Sequence, residues 1–168
     1  SIIIAGNGLL FGTFTSTVIL QDQIKHYVQY KFLKTLEIRD PAFDVEVRLL
    51  PIKNGIPDTA RNNSKLVGGI LEFQEKDSFV VYVKNNTNYG LYINILDLQP
   101  DGVINPVFPN TKYAPRMEKS ELKIEGGKER IFSGWMLEQA SPFGMETYKI
   151  FVSRQEIDME TIARSSGA

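Results

Sequence analysis

The chain has 168 residues, of which 42% are hydrophobic and 11% aromatic, a composition that excludes the disordered class and lets one core bury roughly 70% of the unfolded surface. Its 19 basic and 20 acidic residues interleave to a net charge of −1, so no positive field exists to hold a phosphate backbone and nucleic acid is not an expected partner. Cysteine is absent and His26 is the single histidine, which excludes disulfides, thiolate nucleophiles, thiolate metal sites and multi-histidine metal centres.

Residues 1–20, SIIIAGNGLLFGTFTSTVIL, are rich in apolar residues, but no basic region precedes them and Gly6, Asn7, Gly8 and Gly12 interrupt them. A signal peptide or membrane span is therefore not expected. Gly6-Asn7-Gly8 between Ile2-Ile3-Ile4 and Leu9-Leu10-Phe11 fits a tight turn joining two short strands, which pair with the main sheet or end a preceding domain. From Asp22 to Ile38 the period becomes helical: Ile24, Val28, Phe32 and Leu36 form an apolar stripe with Tyr27 beside it, and Asp22 is the expected N-cap. Asp40-Pro41 follows the helix end. Val45, Val47 and Leu49 alternate with Glu46, Arg48 and Leu50 as a half-exposed strand stopped by Pro51, and Lys53 to Gly69 reads as a long polar loop.

The stretch Phe79 to Asn110 dictates structure most strongly. Phe79, Val81 and Val83, and then Leu91, Ile93 and Ile95, recur at a period of two, which predicts a three-strand meander. Its last turn is Gln99-Pro100-Asp101-Gly102, a type I turn with Gly102 able to take positive φ. Gly126-Gly127 between Glu121–Glu125 and Lys128–Phe132 predicts a second hairpin, and Glu146 to Ser153 a final strand after the turn-like Ser141-Pro142-Phe143-Gly144. The expected fold is mainly β, an antiparallel β-sandwich, immunoglobulin-like or similar, of about eight short strands with one N-terminal amphipathic helix. Residues 1–20 are then a strand pair or the end of a preceding domain, 21–40 the helix, 41–160 the sandwich and 161–168 a disordered tail. With Ser1 at its start and Ser165-Ser166-Gly167-Ala168 at its end, the chain reads as a segment of a larger protein, though a processed mature chain would look the same.

Most residues that invite a chemical role have an ordinary structural reading. His26 has no second histidine or thiol to cooperate with it. Glu72 with Glu75, and Glu118 with Glu121, are carboxylate pairs more often found as solvated charges beside strands. Asn62-Asn63-Ser64 and Asn85-Asn86-Thr87 match the glycosylation pattern without a secretory signal to support it. Phe108-Pro109-Asn110 and Pro142-Phe143-Gly144 fit strand ends and core rings. Tyr113, Arg116 and Met117 on a loop, with Trp135 nearby in sequence, are residue types enriched in protein interfaces. They form the candidate interaction surface, with a core position for Trp135 as the competing reading.

The order of these pieces resembles a domain of unknown function that follows the catalytic domain in bacterial caspase-like, metacaspase-related peptidases. The resemblance runs through Tyr30-Lys31-Phe32-Leu33-Lys34-Thr35-Leu36-Glu37, Val45-Glu46-Val47, Lys76-Asp77-Ser78-Phe79 with Asn85, and Leu91-Tyr92-Ile93-Asn94-Ile95-Leu96-Asp97 with Asp101-Gly102. It continues through Val107-Phe108-Pro109-Asn110 and through Pro142-Phe143-Gly144-Met145-Glu146 with Lys149-Ile150-Phe151-Val152-Ser153. It implies a non-catalytic accessory domain without cofactors whose partner is a caspase-like catalytic domain in the parent chain. The peptidase's Cys and His would lie outside this segment, and no membrane span is expected. The compartment is left open, with the cytoplasm as the default. The alternative, from a different class, is a free-standing ligand-binding or cell-envelope β-domain using the Asn-rich loop; a hydrolase with paired carboxylates ranks below both.

Overall fold

The computed structural model describes residues 2–4, 10–13, 17–60, 66–67, 70–110, 116–138 and 143–159. In chain order the elements are β1 (Ile2–Ile4), β2 (Leu10–Thr13), α1 (Thr17–Thr35), β3 (Val45–Lys53), β4 (Ile56–Pro57), β5 (Leu66–Val67), β6 (Ile70–Leu71) and β7 (Ser78–Asn85). They continue with β8 (Leu91–Leu98), β9 (Ile104–Phe108), a 3-10 turn (Lys119–Leu122), β10 (Lys123–Ile124), β11 (Glu129–Ile131), β12 (Leu137–Glu138) and β13 (Thr147–Ser153). The chain is mainly β and its strands pair antiparallel, as expected. β1 and β2 form the expected strand pair, as a two-stranded sheet of their own. The reading of 161–168 as a tail lies outside the described residues.

Two sheets face each other. In one, β8 is central, with β13 along one edge and β9 and β10 sharing the other. In the second, β7 is central, with β3 along one edge and β11 and β12 sharing the other, and β4 extends the sheet beyond β3. Val81, Val83, Ile93, Ile95, Phe108, Leu122, Ile124 and Phe132 meet between the sheets, and the Phe108 and Phe132 rings lie 4.6 Å apart. Burying each such side chain contributes about 2–3 kcal/mol. The opposite face of the β8 sheet is covered by α1, where Leu96, Leu98 and Ile104 pack with Tyr30, Leu33 and Met159.

The expected meander is corrected in one respect. β8 and β9 form the hairpin, with Gly102 N–H donating to the Gln99 carbonyl at 3.0 Å, but β7 and β8 belong to different sheets. Alternation at a period of two fixes the faces of a strand and leaves its neighbour open. The expected Gly126-Gly127 hairpin is corrected in the same way. β10 pairs with β8 and β11 with β7, so this turn is a corner between the sheets. It runs against the β7–β8 crossover: a Cβ on Gly126 would lie 2.4 Å from the Asn88 carbonyl carbon. The expected long loop from Lys53 is also shorter, because Asn54 and Gly55, both at positive φ, close a β3–β4 hairpin.

Gly102 adopts φ 91°, the left-handed region that opposes a β-branched side chain. Gly102→Val is expected to lower stability by about 1–2 kcal/mol, read from denaturant unfolding; an unchanged midpoint with an unchanged slope would refute the strain.

α1 begins at Thr17, before the expected start, so Asp22 lies inside the helix and is not its N-cap. The face that packs is also different. Tyr30 and Leu33 are buried, whereas Val28 and Phe32 are 58% and 59% exposed and Ile24 is exposed with them. The helix is apolar on two opposite sides, and the Tyr30 phenol, which donates to the Gln99 carbonyl at 2.9 Å, pins the other side to the sheet.

Candidate functional site

Two features of the described residues stand apart from ordinary packing. The first is the outward stripe of α1. At 100° per residue Ile24, Val28 and Phe32 span about 80° of the helix surface, with Lys31 adjoining one edge and Lys25 the other. Both lysines are exposed. Leu36, the fourth member of the expected stripe, is half-buried, and its carbonyl accepts from Lys149 Nζ at 2.9 Å.

The second is a polar cluster at the end of the sandwich where β8 runs into its turn and β13 begins. Ile93, Ile95 and Asp97 follow one another at a period of two, so Asp97 faces the space between the sheets. The ladders set it opposite Tyr148 on β13 and Asn105 on β9. Asp97 is 7% exposed and its Oδ1 has no hydrogen-bond partner. The Tyr148 phenol donates to Glu146 Oε2 at 3.0 Å. The Tyr148 ring meets Phe79 of the facing sheet edge-on at 6.0 Å, and Phe73 stacks on Phe79 at 4.8 Å.

Burial, and then the negative charge of Glu146, push the Asp97 carboxyl up to about 7. The side chains of Gln99 and Asn105 pull it down, and Asp101 adds a further push upward. Burial also pushes the Tyr148 phenol up, with Asp97 and Glu146 adding to the shift. Pro100 of the β8–β9 turn touches the segment before β13, since a Cβ on Gly144 would lie 2.8 Å from Pro100 Cγ. Phe143 and Met145 are exposed beside it. Chemically, the cluster offers carboxylate acceptors next to aromatic rings.

Of the expected interaction surface, Arg116 is exposed, and Met117 is not a contact residue, because it is 3% exposed in the inter-sheet core. Trp135 is half-buried against that core, its ring 6.2 Å from Phe132 and 5.9 Å from the Arg130 guanidinium. Tyr113 lies outside the described residues, so the four are not shown to form one patch.

The motif residues are mostly structural. Asp101 Oδ1 accepts from the Val103 N–H at 3.0 Å inside the turn. Phe108 is core, Pro109 follows it through a cis peptide bond, and the Asn110 carbonyl accepts from Met117 N–H at 2.9 Å. Gly144 packs on Pro100 as described; Phe143, expected as a core ring like Phe108, is instead exposed, because the segment before β13 lies on the outside of the β8–β9 turn, and Pro142 lies outside the described residues. Glu118 and Glu121 form a reciprocal cap on the 3-10 turn, and Glu72 and Glu75 are exposed. The glycosylation match at Asn85 falls on a fully buried amide, and the one at Asn62 lies outside the described residues. His26 is half-buried on α1 and its Nδ1 has no partner.

Asp97 is the residue a closer reading of the strand pattern would have found: an acidic side chain at a core-facing position of LYINILDL. Among the described residues no group of three or more metal-ligating side chains is placed to hold an ion, and no helix is long and apolar enough to cross a membrane. Comparison with protein-family models, with curated proteins and with solved structures finds no match.

Proposed function

We propose that this chain is a non-catalytic β-sandwich domain that works by protein contact, docking through the outer face of α1 onto a caspase-like catalytic domain of its parent chain. The observation that carries the contact reading is that stripe. Ile24, Val28 and Phe32 are exposed on a helix already anchored by its other side, and an apolar helix face free of the rest of the fold is what helix-in-groove recognition lays into its partner. Lys25 and Lys31 on either side favour an apolar groove with an acidic rim. The peptidase as partner rests on the ordered motifs from Tyr30 to Ser153 and on no comparison.

The test titrates the parent's catalytic domain with the chain and with the Ile24→Ser, Val28→Ser, Phe32→Ser triple variant. The changed side chains are exposed, so the variant is expected to keep its melting temperature and to bind at least tenfold more weakly, a loss of about 1.4 kcal/mol or more. Equal binding by the two proteins would remove the stripe as the docking surface. Binding to vesicles of anionic lipid in place of the catalytic domain would overturn the protein-contact reading. If no His and Cys pair is encoded in the parent, the peptidase link fails and only the contact reading survives.

A further inference from the structure

We infer that the end of the sandwich formed by Asp97, Glu146 and Tyr148 is a binding site for an organic cation, the guanidinium or ammonium head of an arginine or lysine side chain on a peptide. The inference is independent of the α1 surface and of the peptidase link.

An acidic cluster alone would not make a site. Here the deciding feature is Asp97, more than nine-tenths buried on the inter-sheet face with Oδ1 lacking any partner. A buried carboxylate oxygen without a donor carries a full desolvation penalty, and the charges acting on it, Glu146 and then Asp101, are both negative. The cationic Lys149 of β13 points its Nζ to the opposite side of the sheet, onto the Leu36 carbonyl. The amide side chains of Gln99 and Asn105 serve Asp97 as neutral donors, but Oδ1 has none, and no positively charged donor reaches the carboxylate; a guanidinium or ammonium brings one.

The surroundings suit the rest of such a side chain. Glu146 is held by the Tyr148 phenol, so a second carboxylate is positioned on the same face. The rings of Tyr148, Phe79 and Phe73 follow one another across the gap between the sheets, and an aromatic face close to a cation adds attraction. Phe143 and Met145, exposed on the segment packed against Pro100, provide apolar surface for the methylene stem. Both are more than half exposed, so most of their apolar surface is free for such a contact.

The probe is the blocked tripeptide Gly-Arg-Gly, with Gly-citrulline-Gly as its uncharged isostere, titrated into the full chain at pH 8 and followed by amide chemical shifts. Saturable shifts at Gly144, Glu146 and Tyr148 are expected for the arginine peptide, at least tenfold weaker for the citrulline peptide, and lost in Asp97→Asn, which keeps the side-chain shape. Glu146→Gln is expected to weaken binding without abolishing it. Gly-Lys-Gly in place of Gly-Arg-Gly distinguishes a fork of donors from a point charge. Equal shifts with arginine and citrulline, or full binding by a folded Asp97→Asn variant, would overturn the site; so would shifts confined to exposed acidic residues elsewhere.

Discussion

Asn85→Ala is expected to lower the stability of the chain by about 3 kcal/mol, a fall of about 6–12 °C in melting temperature for a domain of this size. Asn85 is fully buried at the end of β7. Its Nδ2 donates to the Tyr89 carbonyl at 2.7 Å and to the Ile124 carbonyl at 3.0 Å, while its Oδ1 accepts from the N–H of Thr87 at 3.0 Å and from the Thr87 hydroxyl at 2.7 Å. One amide thereby ties the β7–β8 crossover to β10, on the other sheet. Alanine strips the Ile124 carbonyl and the Thr87 N–H of their partner at once and leaves the Tyr89 carbonyl only the Thr87 hydroxyl at 3.0 Å, and unmade bonds to buried groups cost more than the net worth of the bonds themselves.

Asn85→Asp sharpens the test, because it keeps the shape and the acceptor but sets a carboxylate oxygen against those two carbonyls. It is expected to be at least as damaging as alanine at pH 7 and less so at pH 4. Thermal unfolding of the three proteins reads the result. A loss under about 1 kcal/mol for alanine would mean that water replaces the amide and that Asn85 is not the tie between the sheets.

The same corner shows what the sequence makes legible and what it hides. The strands around Val81 and Ile93, the Gln99–Gly102 turn and the final strand to Ser153 are all visible, because period-two patterning and turn chemistry are local properties. The pairing of β7 and β8 is not local. Either a hairpin or a crossover fits Asn86 to Gly90, and the deciding contacts come from Ile124 and Gly126, far along the chain. α1 misleads for a related reason: Ile24, Val28 and Phe32 form the better stripe by periodicity, yet the side that packs is chosen by Tyr30, whose hydroxyl finds the Gln99 carbonyl, and by Leu33. The polar cluster was half legible. Asp97 sits in register with Ile93 and Ile95, but Glu146 and Tyr148 reach it only through the β8–β13 ladder.

Asp97→Asn is expected to stabilise the chain above neutral pH and to leave it unchanged in acid. The Asp97 carboxyl titrates near 7 in the fold against an ordinary 3.8, so between these values the folded chain holds a proton that the unfolded chain releases. Stability supported by the neutral carboxyl is fully present below about pH 4 and is lost as the pH rises through 7. Above that, ionised Asp97 costs about 2–4 kcal/mol. The groups that bear on it are Glu146 and Tyr148 at the β13 end and Asp101 on the turn, with Gln99 and Asn105 as polar neighbours. The opposing sheet contributes the uncharged Phe79 ring against Tyr148. Asparagine cannot ionise, so unfolding at pH 8 should require more denaturant for the variant than for the parent, and the two midpoints should converge near pH 4. A variant less stable than the parent at pH 8 would show that the carboxylate is well paired and would remove the ground for a cation site. A residue that weakens the fold at working pH is kept where another task needs it. A cation seated at Asp97 would recover part of that cost on binding, so the arginine peptide should raise the stability of the parent at pH 8 and leave that of Asp97→Asn unmoved.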